Sequence, residues 1–352
     1  MERLNNNPQI SNYSTQSTPA SKMSRIGFRL TLAAVFLVGL AVSGLSTYAN
    51  AQVQSMSDAV AEHPNWAQLP GELIRPDCVH AIPKGARVEI GKDGDLTGDV
   101  TLNGELIAHY DACPEKAIIT RQGARTQGVG QVQQQAQPEE TGNGWVEDDQ
   151  WNAPVGGSDN IDYVGSNWTV PEYPSEVDGQ VIYLSNGIEP SSHKWFLEAA
   201  LQFGYNGAFG GNYYTIETLL IGPSTVYYSS PAFVNPGDSL TGYTYMYGES
   251  GNTTYWDSVI VDNYTGYGSE GSYWVSGQHW TWAYAGILQA YNLYACAEFP
   301  GSPRTSFSDA AVAHGFPNYD WYSYPNWKGA IPGYGGPTCH FAVVAASATL
   351  DY

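Results

Sequence analysis

The sequence predicts an all-β protein built as an antiparallel β-sandwich or jelly roll, preceded by a small β-rich unit. The chain contains 39 Gly, 21 Pro and 26 Tyr among 352 residues, a composition that favours turns and strands over helices. Its longer C-terminal part is a succession of short apolar segments, and Gly, Pro and Asn turns separate them at even spacing. Many short strands of this kind are typical of two packed antiparallel sheets.

Residues 1–51 have the features of an export signal. Two arginines precede an apolar run from Leu30 to Val42, and Ala49-Asn50-Ala51 is a small-x-small cleavage pattern. The run is too short for a comfortable transmembrane helix, although an uncleaved anchor is the alternative. We therefore expect a secreted, extracellular protein that begins near Gln52 and leaves the membrane after cleavage.

Residues 52–121 are expected to form the small β-rich unit, in which Asn103-Gly104 is a strong hairpin signal. Four cysteines in an exported chain allow two disulfides in three pairings. The simplest pairing joins Cys78 to Cys113 and Cys296 to Cys339. No CxxC spacing indicates a metal or redox site, and we expect no cofactor.

Residues 122–144 are rich in Gln and Gly with few apolar side chains, which predicts a linker before the sandwich domain, residues 145–352. The whole chain has 14 Lys and Arg against 34 Asp and Glu. This balance provides no basic surface for phosphate groups, so we expect neither nucleic acid nor an anionic membrane as a partner. The oligomeric state stays open.

Two features of the sandwich domain suggest binding surfaces. Tyr243, Tyr245 and Tyr247 alternate with smaller residues, which places three rings on one face of a strand. Such a stripe can stack on sugars or line a polypeptide cleft, but aromatic packing inside the sandwich is the more frequent arrangement. The apolar run from Trp195 to Tyr205 contains Gln202, whose amide needs partners inside the fold or is held ready for a ligand.

Familiar catalytic motifs are absent from the sequence, including a GxSxG elbow, an HExxH helix, a P-loop and a GxGxxG turn before a helix. What the sequence offers is carboxylates and amides in an acidic β-domain. A carboxylate can activate water while an amide stabilises the developing oxyanion, so hydrolysis in acid is the chemistry that these groups permit.

Several segments, taken in order, carry a family resemblance. They are Asn167–Pro171 (NWTVP), Val181–Ile188 (VIYLSNGI), Ala200–Gly204 (ALQFG), Tyr214–Glu217 (YTIE), Val234–Leu240 (VNPGDSL) and Ile260–Gly266 (IVDNYTG). In this order they resemble the glutamic peptidases, or eqolisins, which are secreted endopeptidases active in acid. The resemblance implies a lectin-like, concanavalin-like sandwich, and it implies that Gln202 is the catalytic glutamine.

The second catalytic residue of that family is a glutamate, and the matching segment here, Ala285–Ala290 (AGILQA), has Gly286 at its position. Gln289 lies three residues further on, so it points to the opposite face of the strand from Gly286. Glu217 and Glu298 are the candidates for a displaced carboxylate, with a structural role as the alternative for each.

Two functions follow. The first is an acid endopeptidase with a Gln/Glu site, acting on a polypeptide substrate. The second is a non-catalytic, secreted, lectin-like module that binds glycans or peptides on its Tyr and Trp faces. The resemblance also implies that residues 52–144 are a propeptide, and an ordinary accessory domain is the alternative.

Overall fold

The computed structural model describes residues 56–91, 97–115, 117–119, 142–153, 160–302, 304–321, 325–330, 339, 343–344 and 349–351. Residues 52–352 form one compact unit. The expected leader, 1–51, and most of the expected linker, 122–141, lie outside the described residues. No helix in the described part of the chain is long and apolar enough to cross a membrane.

The described elements begin with α1 (Met56–Glu62), β1 (Ala67–Leu69), β2 (Glu72–Ile74), β3 (Val79–Ile82), β4 (Arg87–Ile90), β5 (Gly98–Leu102), β6 (Glu105–Tyr110) and β7 (Ile118–Ile119). The long strands follow as β8 (Gly142–Asn152), β9 (Ile161–Thr169), β10 (Val181–Pro190), β11 (Phe196–Tyr205), β12 (Gly210–Ile221), β13 (Val226–Ser229), β14 (Ala232–Val234), β15 (Ser239–Ser250), β16 (Thr253–Asp262), β17 (Gly268–Ser276) and β18 (Trp280–Leu293). The last strands are β19 (Arg304–Ser306), β20 (Ser308–His314), β21 (Asp320–Trp321), β22 (Lys328–Ala330), β23 (Val343–Val344) and β24 (Thr349–Asp351). Single 3-10 turns occupy Pro76–Cys78 and Cys296–Glu298.

Two nine-stranded sheets form the body of the protein. The first has the order β22-β8-β18-β10-β11-β12-β13-β3, with β14 also paired to β12. The second has the order β21-β20-β9-β15-β16-β17-β4-β5-β6. Two three-stranded sheets, β1-β2-β7 and β19-β24-β23, accompany them. The all-β sandwich predicted from the sequence is therefore confirmed.

The main core lies between the two large sheets, where alternate residues of each strand meet. Leu201 and Ile216 of the first sheet belong to the same buried cluster as Val164, Trp256 and Ile260 of the second. Burying such a side chain stabilises the fold by roughly 1.5–3 kcal/mol. The period-two alternation that identified the strands therefore also determines which side chains form this core.

The segment 52–121, expected to be a separate unit, supplies strands to both large sheets instead. β3 pairs in parallel with β13, and β4 pairs in parallel with β17. Val88 and Ile90 of β4 also join the main core. A segment this short has little core of its own, so it completes its burial by extending the sheets. It also covers edges that would otherwise be unpaired.

Two predictions from the sequence are confirmed, the Asn103-Gly104 hairpin and the pairing of the four cysteines. Asn103 and Gly104 link β5 to β6 with φ values of 53° and 84°, the left-handed geometry that a two-residue hairpin turn requires. Disulfides join Cys78 to Cys113 and Cys296 to Cys339, with Cα–Cα distances of 5.9 and 5.5 Å. The simplest of the three pairings is thus the observed one.

The tyrosine stripe of β15 points away from the core, so the expectation that it packs inside the sandwich is wrong. Thr244 and Met246 are buried, whereas Tyr247 is 36% exposed and Tyr243 and Tyr245 are partly exposed. The predicted alternation along β15 is confirmed. The side of the strand that faces inward depends on the packing of the other sheet, and here Gly242, Thr244 and Met246 face the core.

Candidate functional site

Gln202 lies in the middle of β11 on the face turned away from the second sheet. Leu197, Ala199, Leu201 and Phe203 point into the main core, and the alternate residues therefore point outward. This outer side is not open to solvent, because a second apolar cluster covers it and Gln202 has no exposed surface. We call it the covered face; its polar residues include Tyr183, Ser185, Glu189, Glu198, Gln202, Thr215, Glu217 and Gln289.

The amide of Gln202 is fully hydrogen-bonded within the fold. Its Nε2 donates to the carbonyl oxygens of Gly204 and Phe209, at 2.8 and 3.2 Å. Its Oε1 accepts a hydrogen bond from Asn206 Nδ2 at 3.2 Å. A Cβ atom at Gly210 would lie 2.2 Å from Nε2, so a glycine is required there. In this state the amide holds the turn after β11 and has no N–H left for an oxyanion.

Glu217 lies on β12, next to Gln202 on the covered face. The register pairs Gln202 with Thr215 and Ala200 with Glu217, which makes Gln202 and Glu217 diagonal neighbours within about 8 Å. Glu217 has no exposed surface. Burial raises the pKa of Glu217 well above its usual range, opposed by the Thr215 hydroxyl and assisted by the charge of Glu198. This carboxyl group is therefore protonated in acid.

Glu198 is a second buried carboxyl group on the same face, and the sequence analysis did not single it out. It lies four residues before Gln202 in the strand, a spacing that predicts the same face. Its Oε2 accepts a hydrogen bond from the Ser185 hydroxyl at 2.9 Å. The two glutamates are close enough for the charge of Glu198 to raise the pKa of Glu217. The site therefore contains a coupled pair of carboxyl groups.

Glu298 occupies a different environment. Its Oε2 accepts hydrogen bonds from the backbone N–H groups of Tyr294 and Ala295, the second at 3.1 Å. The carboxylate thus closes the 3-10 turn Cys296–Glu298, which the disulfide from Cys296 also holds. Glu298 therefore has a structural role, since its side chain caps this turn.

Gly286 does not face the site. A β-bulge on β18 between Tyr284 and Gly286 turns it inward, where an added Cβ would lie 2.4 Å from the Phe307 ring. Gln289 instead lies on the covered face, opposite Tyr183 in the same row as Gln202. Neither amide atom of Gln289 has a hydrogen-bond partner among the described residues. Three strand spacings, about 14 Å, separate it from Glu217, too far to act on one bond.

An extended strand of the same chain, β1, lies over the covered face. The Tyr183 hydroxyl donates to the carbonyl oxygen of Gln68 at 2.8 Å, and the Tyr291 hydroxyl donates to that of Leu69. The backbone N–H of Gln68 donates to the carbonyl oxygen of Asn206 at 2.7 Å. Leu69 belongs to the apolar cluster that covers this face. Side chains of the sheet therefore bind the backbone of an extended polypeptide.

A cavity of about 370 Å³ continues this face beside β1, lined by Trp66, Gln68, Asn206, Asn292 and four neighbouring residues. Among the described residues, Asp77, Cys78 and Cys113 form the one group of three potential metal ligands. Both sulfurs of that group form a disulfide. The polar groups on the covered face itself are carboxyl, amide and hydroxyl groups.

No protein-family model and no curated protein sequence matches this chain. Among solved structures, two of Scytalido-glutamic peptidase with transition-state analogues match at 14% and 15% identity, with TM-scores of 0.42 and 0.41. They cover 58% and 59% of this chain and 96% of the peptidase. SCP-B, a member of the eqolisin family solved with the tripeptide Ala-Ile-His, matches at 14% identity and a TM-score of 0.39, covering 58% of this chain and 96% of its own. These values describe a distant likeness of fold and give no residue a role.

Replacing Gln202 with leucine should destabilise the fold by about 2–4 kcal/mol, because two buried carbonyl groups and the Asn206 amide lose their partner. Urea unfolding at neutral pH measures the change. Gln278→Leu removes a glutamine from a surface loop and is the matched control. If both variants unfolded at the same midpoint concentration of urea, the Gln202 amide would have no structural role.

Proposed function

We propose that this protein is an acid endopeptidase of the glutamic type, whose cleft is the covered face. The observation that carries the proposal is that this face already binds an extended polypeptide, β1, through hydrogen bonds to its backbone carbonyls. Backbone recognition of this kind suits substrates of varied sequence. A polypeptide laid along the covered face would pass the carboxyl groups on β11 and β12.

The coupled pair Glu198 and Glu217 supplies the acid and the base. Two carboxyl groups that share a low-dielectric site do not ionise together, so one keeps its proton while the other is charged. We assign the base to Glu198, which accepts a hydrogen bond from Ser185: it takes a proton from the attacking water, whose oxygen bonds to the carbonyl carbon. Glu217, whose pKa burial raises, donates its proton to the amide nitrogen as the C–N bond breaks.

Gln202 has a positioning role in this proposal, since its amide fixes the turn that carries Asn206. Asn206 in turn contacts both the Tyr183 hydroxyl and the backbone of Gln68. In the described state β1 occupies the cleft, so the chain is in an inhibited form. Of the expected propeptide, residues 52–144, β1 is the inhibitory part in this proposal. Its displacement in acid opens the cleft, while β3 to β6 stay paired in the two large sheets.

A second function is favoured by one observation: the Gln202 amide, which neighbours the carboxyl pair, donates both of its N–H groups to backbone carbonyl oxygens. A cleft without an oxyanion donor would bind an extended polypeptide without hydrolysing it. This alternative keeps the covered face as a polypeptide-binding surface and differs from the first only in turnover.

Replacing Gln68 with proline tests the proposal, because proline removes the N–H that bonds to Asn206 and distorts β1. We expect the initial rate of digestion of an unfolded protein at about pH 4 to rise about 5- to 150-fold, since β1 loses about 1–3 kcal/mol of its binding to the covered face. Gln68→Ala keeps the N–H and is the matched control. If Gln68→Pro, wild type and control all leave the substrate intact, the non-catalytic alternative replaces the peptidase.

A further inference from the structure

Seven aromatic side chains form a continuous band on the outer face of the second sheet, and the cleft uses none of them. In contact order they are Trp321, Tyr163, Tyr243, Tyr245, Tyr247, Tyr255 and Trp274. Successive ring centroids lie 4.2–6.5 Å apart. We call this band the aromatic face. It crosses β21, β9, β15, β16 and β17, so it is long enough for an extended ligand.

Glycines make room for two of these rings. A Cβ at Gly165 would lie 2.4 Å from the Tyr163 hydroxyl oxygen, and one at Gly248 would lie 2.6 Å from Tyr255 Cδ2. Both rings are partly exposed, and Tyr255 also stacks on Trp274 with ring centroids 4.2 Å apart. The exposed parts of such rings can stack on the C–H face of a sugar ring.

Polar groups lie between the rings. Tyr245 donates to Asp257 Oδ2 at 3.0 Å, and Trp274 Nε1 donates to the Tyr247 hydroxyl at 2.6 Å. The Tyr247 hydroxyl also lies 3.1 Å from Ser272 Oγ. Hydroxyl and carboxyl groups of this kind exchange hydrogen bonds with ligand hydroxyls. The aromatic face thus combines stacking surfaces with hydrogen-bonding groups.

The charges on this face argue against an anionic ligand. Arg87 is the one basic side chain in the described strands β4, β9, β15, β16 and β17, and it already stacks on Trp274 at 3.6 Å. An anionic polymer would therefore find no free cation on these strands. The carboxyl groups of Asp257 and Glu270 lie beside Tyr243 and Tyr245, and carboxyl groups exchange hydrogen bonds with ligand hydroxyl groups. A neutral ligand rich in hydroxyl groups suits this combination.

The backbone of these strands is largely paired within the sheet. β15 pairs with β9 from Ser239 to Tyr245 and with β16, and β16 also pairs with β17. A peptide therefore cannot add as another strand between these paired segments.

We propose that the aromatic face binds a neutral polysaccharide, with sugar rings stacked on Tyr247, Tyr255 and their neighbours. The observations that carry this inference are the continuous band of partly exposed rings, the interleaved hydroxyl groups and the lack of a free basic side chain on the described strands of this face. The role is independent of the covered face, which lies on the other large sheet. A peptidase with such a surface would remain attached to a carbohydrate matrix.

The test uses the mature protein in native gels that contain soluble mannan, β-1,3-glucan or hydroxyethyl cellulose, and in sedimentation with insoluble chitin. We expect retardation or co-sedimentation with at least one of these polymers at 0.5 M salt. The double variant Tyr247→Ala/Tyr255→Ala should bind roughly 5- to 100-fold more weakly, at about two- to tenfold for each ring lost. Tyr264→Ala, at an 88% exposed tyrosine outside the aromatic face, is the matched control.

If the double variant fails to fold, Trp321→Ala at the end of the aromatic face provides a second variant. We expect it to bind the polysaccharide about two- to tenfold more weakly than the wild type. Absence of binding to all four polymers would overturn the proposal. Equal loss in Tyr264→Ala would overturn it as well. Binding to polylysine that salt abolishes, without binding to any polysaccharide, would assign the face to a cationic polypeptide instead.

Discussion

Replacing Glu217 with glutamine should lower the rate of peptide-bond hydrolysis in acid by at least about a hundredfold to a thousandfold. Glutamine has almost the same shape but cannot donate the proton that a buried carboxyl group supplies, and a positioned acid or base typically contributes 10²–10⁴-fold. Initial rates on an unfolded protein at about pH 4 measure the effect. Glu298→Gln is the matched control, because that carboxyl group caps a turn elsewhere.

The same variant has a predictable stability profile. Burial raises the folded-state pKa of Glu217 above its unfolded value of 4.5, so the wild type loses stability as pH rises above that value. Glutamine does not ionise and avoids this loss. Glu217→Gln should therefore gain stability relative to wild type at pH 7 but not at pH 3. A stability difference that does not change with pH would contradict the assigned pKa shift.

Replacing Gly286 with glutamate should unfold the protein or destabilise it by about 4 kcal/mol or more. The position matches the family glutamate by sequence, but its side chain would enter the core against Phe307. It would also lie across the ladder from Asp149, a buried carboxyl group whose pKa burial raises to about 7. Adding an unpaired buried charge there costs several kcal/mol.

Gln289→Glu is the matched comparison, since this side chain lies on the covered face and is the next polar residue on β18. We expect the melting temperatures of the two variants to differ by at least about 5 °C at pH 4, where a buried glutamate keeps its proton. Gln289→Glu should be the more stable variant. If Gly286→Glu instead folded normally and raised acid proteolysis, the inward orientation of Gly286 would be wrong.

Much of the fold was predictable because its signals are local. Alternation located the long strands, including β11 and β12, and Asn103-Gly104 located a hairpin. The place of residues 52–121 was not predictable. β3 and β4 pair with strands more than a hundred residues away, and nothing in their own sequence specifies a parallel partner in another segment.

The site was predictable in part. Gln202 and Glu217 share a face as neighbours, and period-two spacing from Gln202 also indicates Glu198. The orientation of Gly286 depends on a β-bulge in β18, and the alternation of residues in this segment does not predict that bulge. The hydrogen bonds that occupy Gln202 come from a turn whose path is set by Gly204 and Gly210, so whether that amide is free required the structure.

The proposed function requires the covered face to hydrolyse polypeptides in acid. The most direct test is mass spectrometry of an unfolded protein incubated with the mature wild-type protein from about pH 2 to pH 7. We expect new peptide termini to appear between about pH 2 and pH 5, where the buried carboxyl group of Glu217 is protonated. An intact substrate throughout the range from pH 2 to pH 5 would contradict the peptidase and leave a cleft that binds polypeptides without cleaving them.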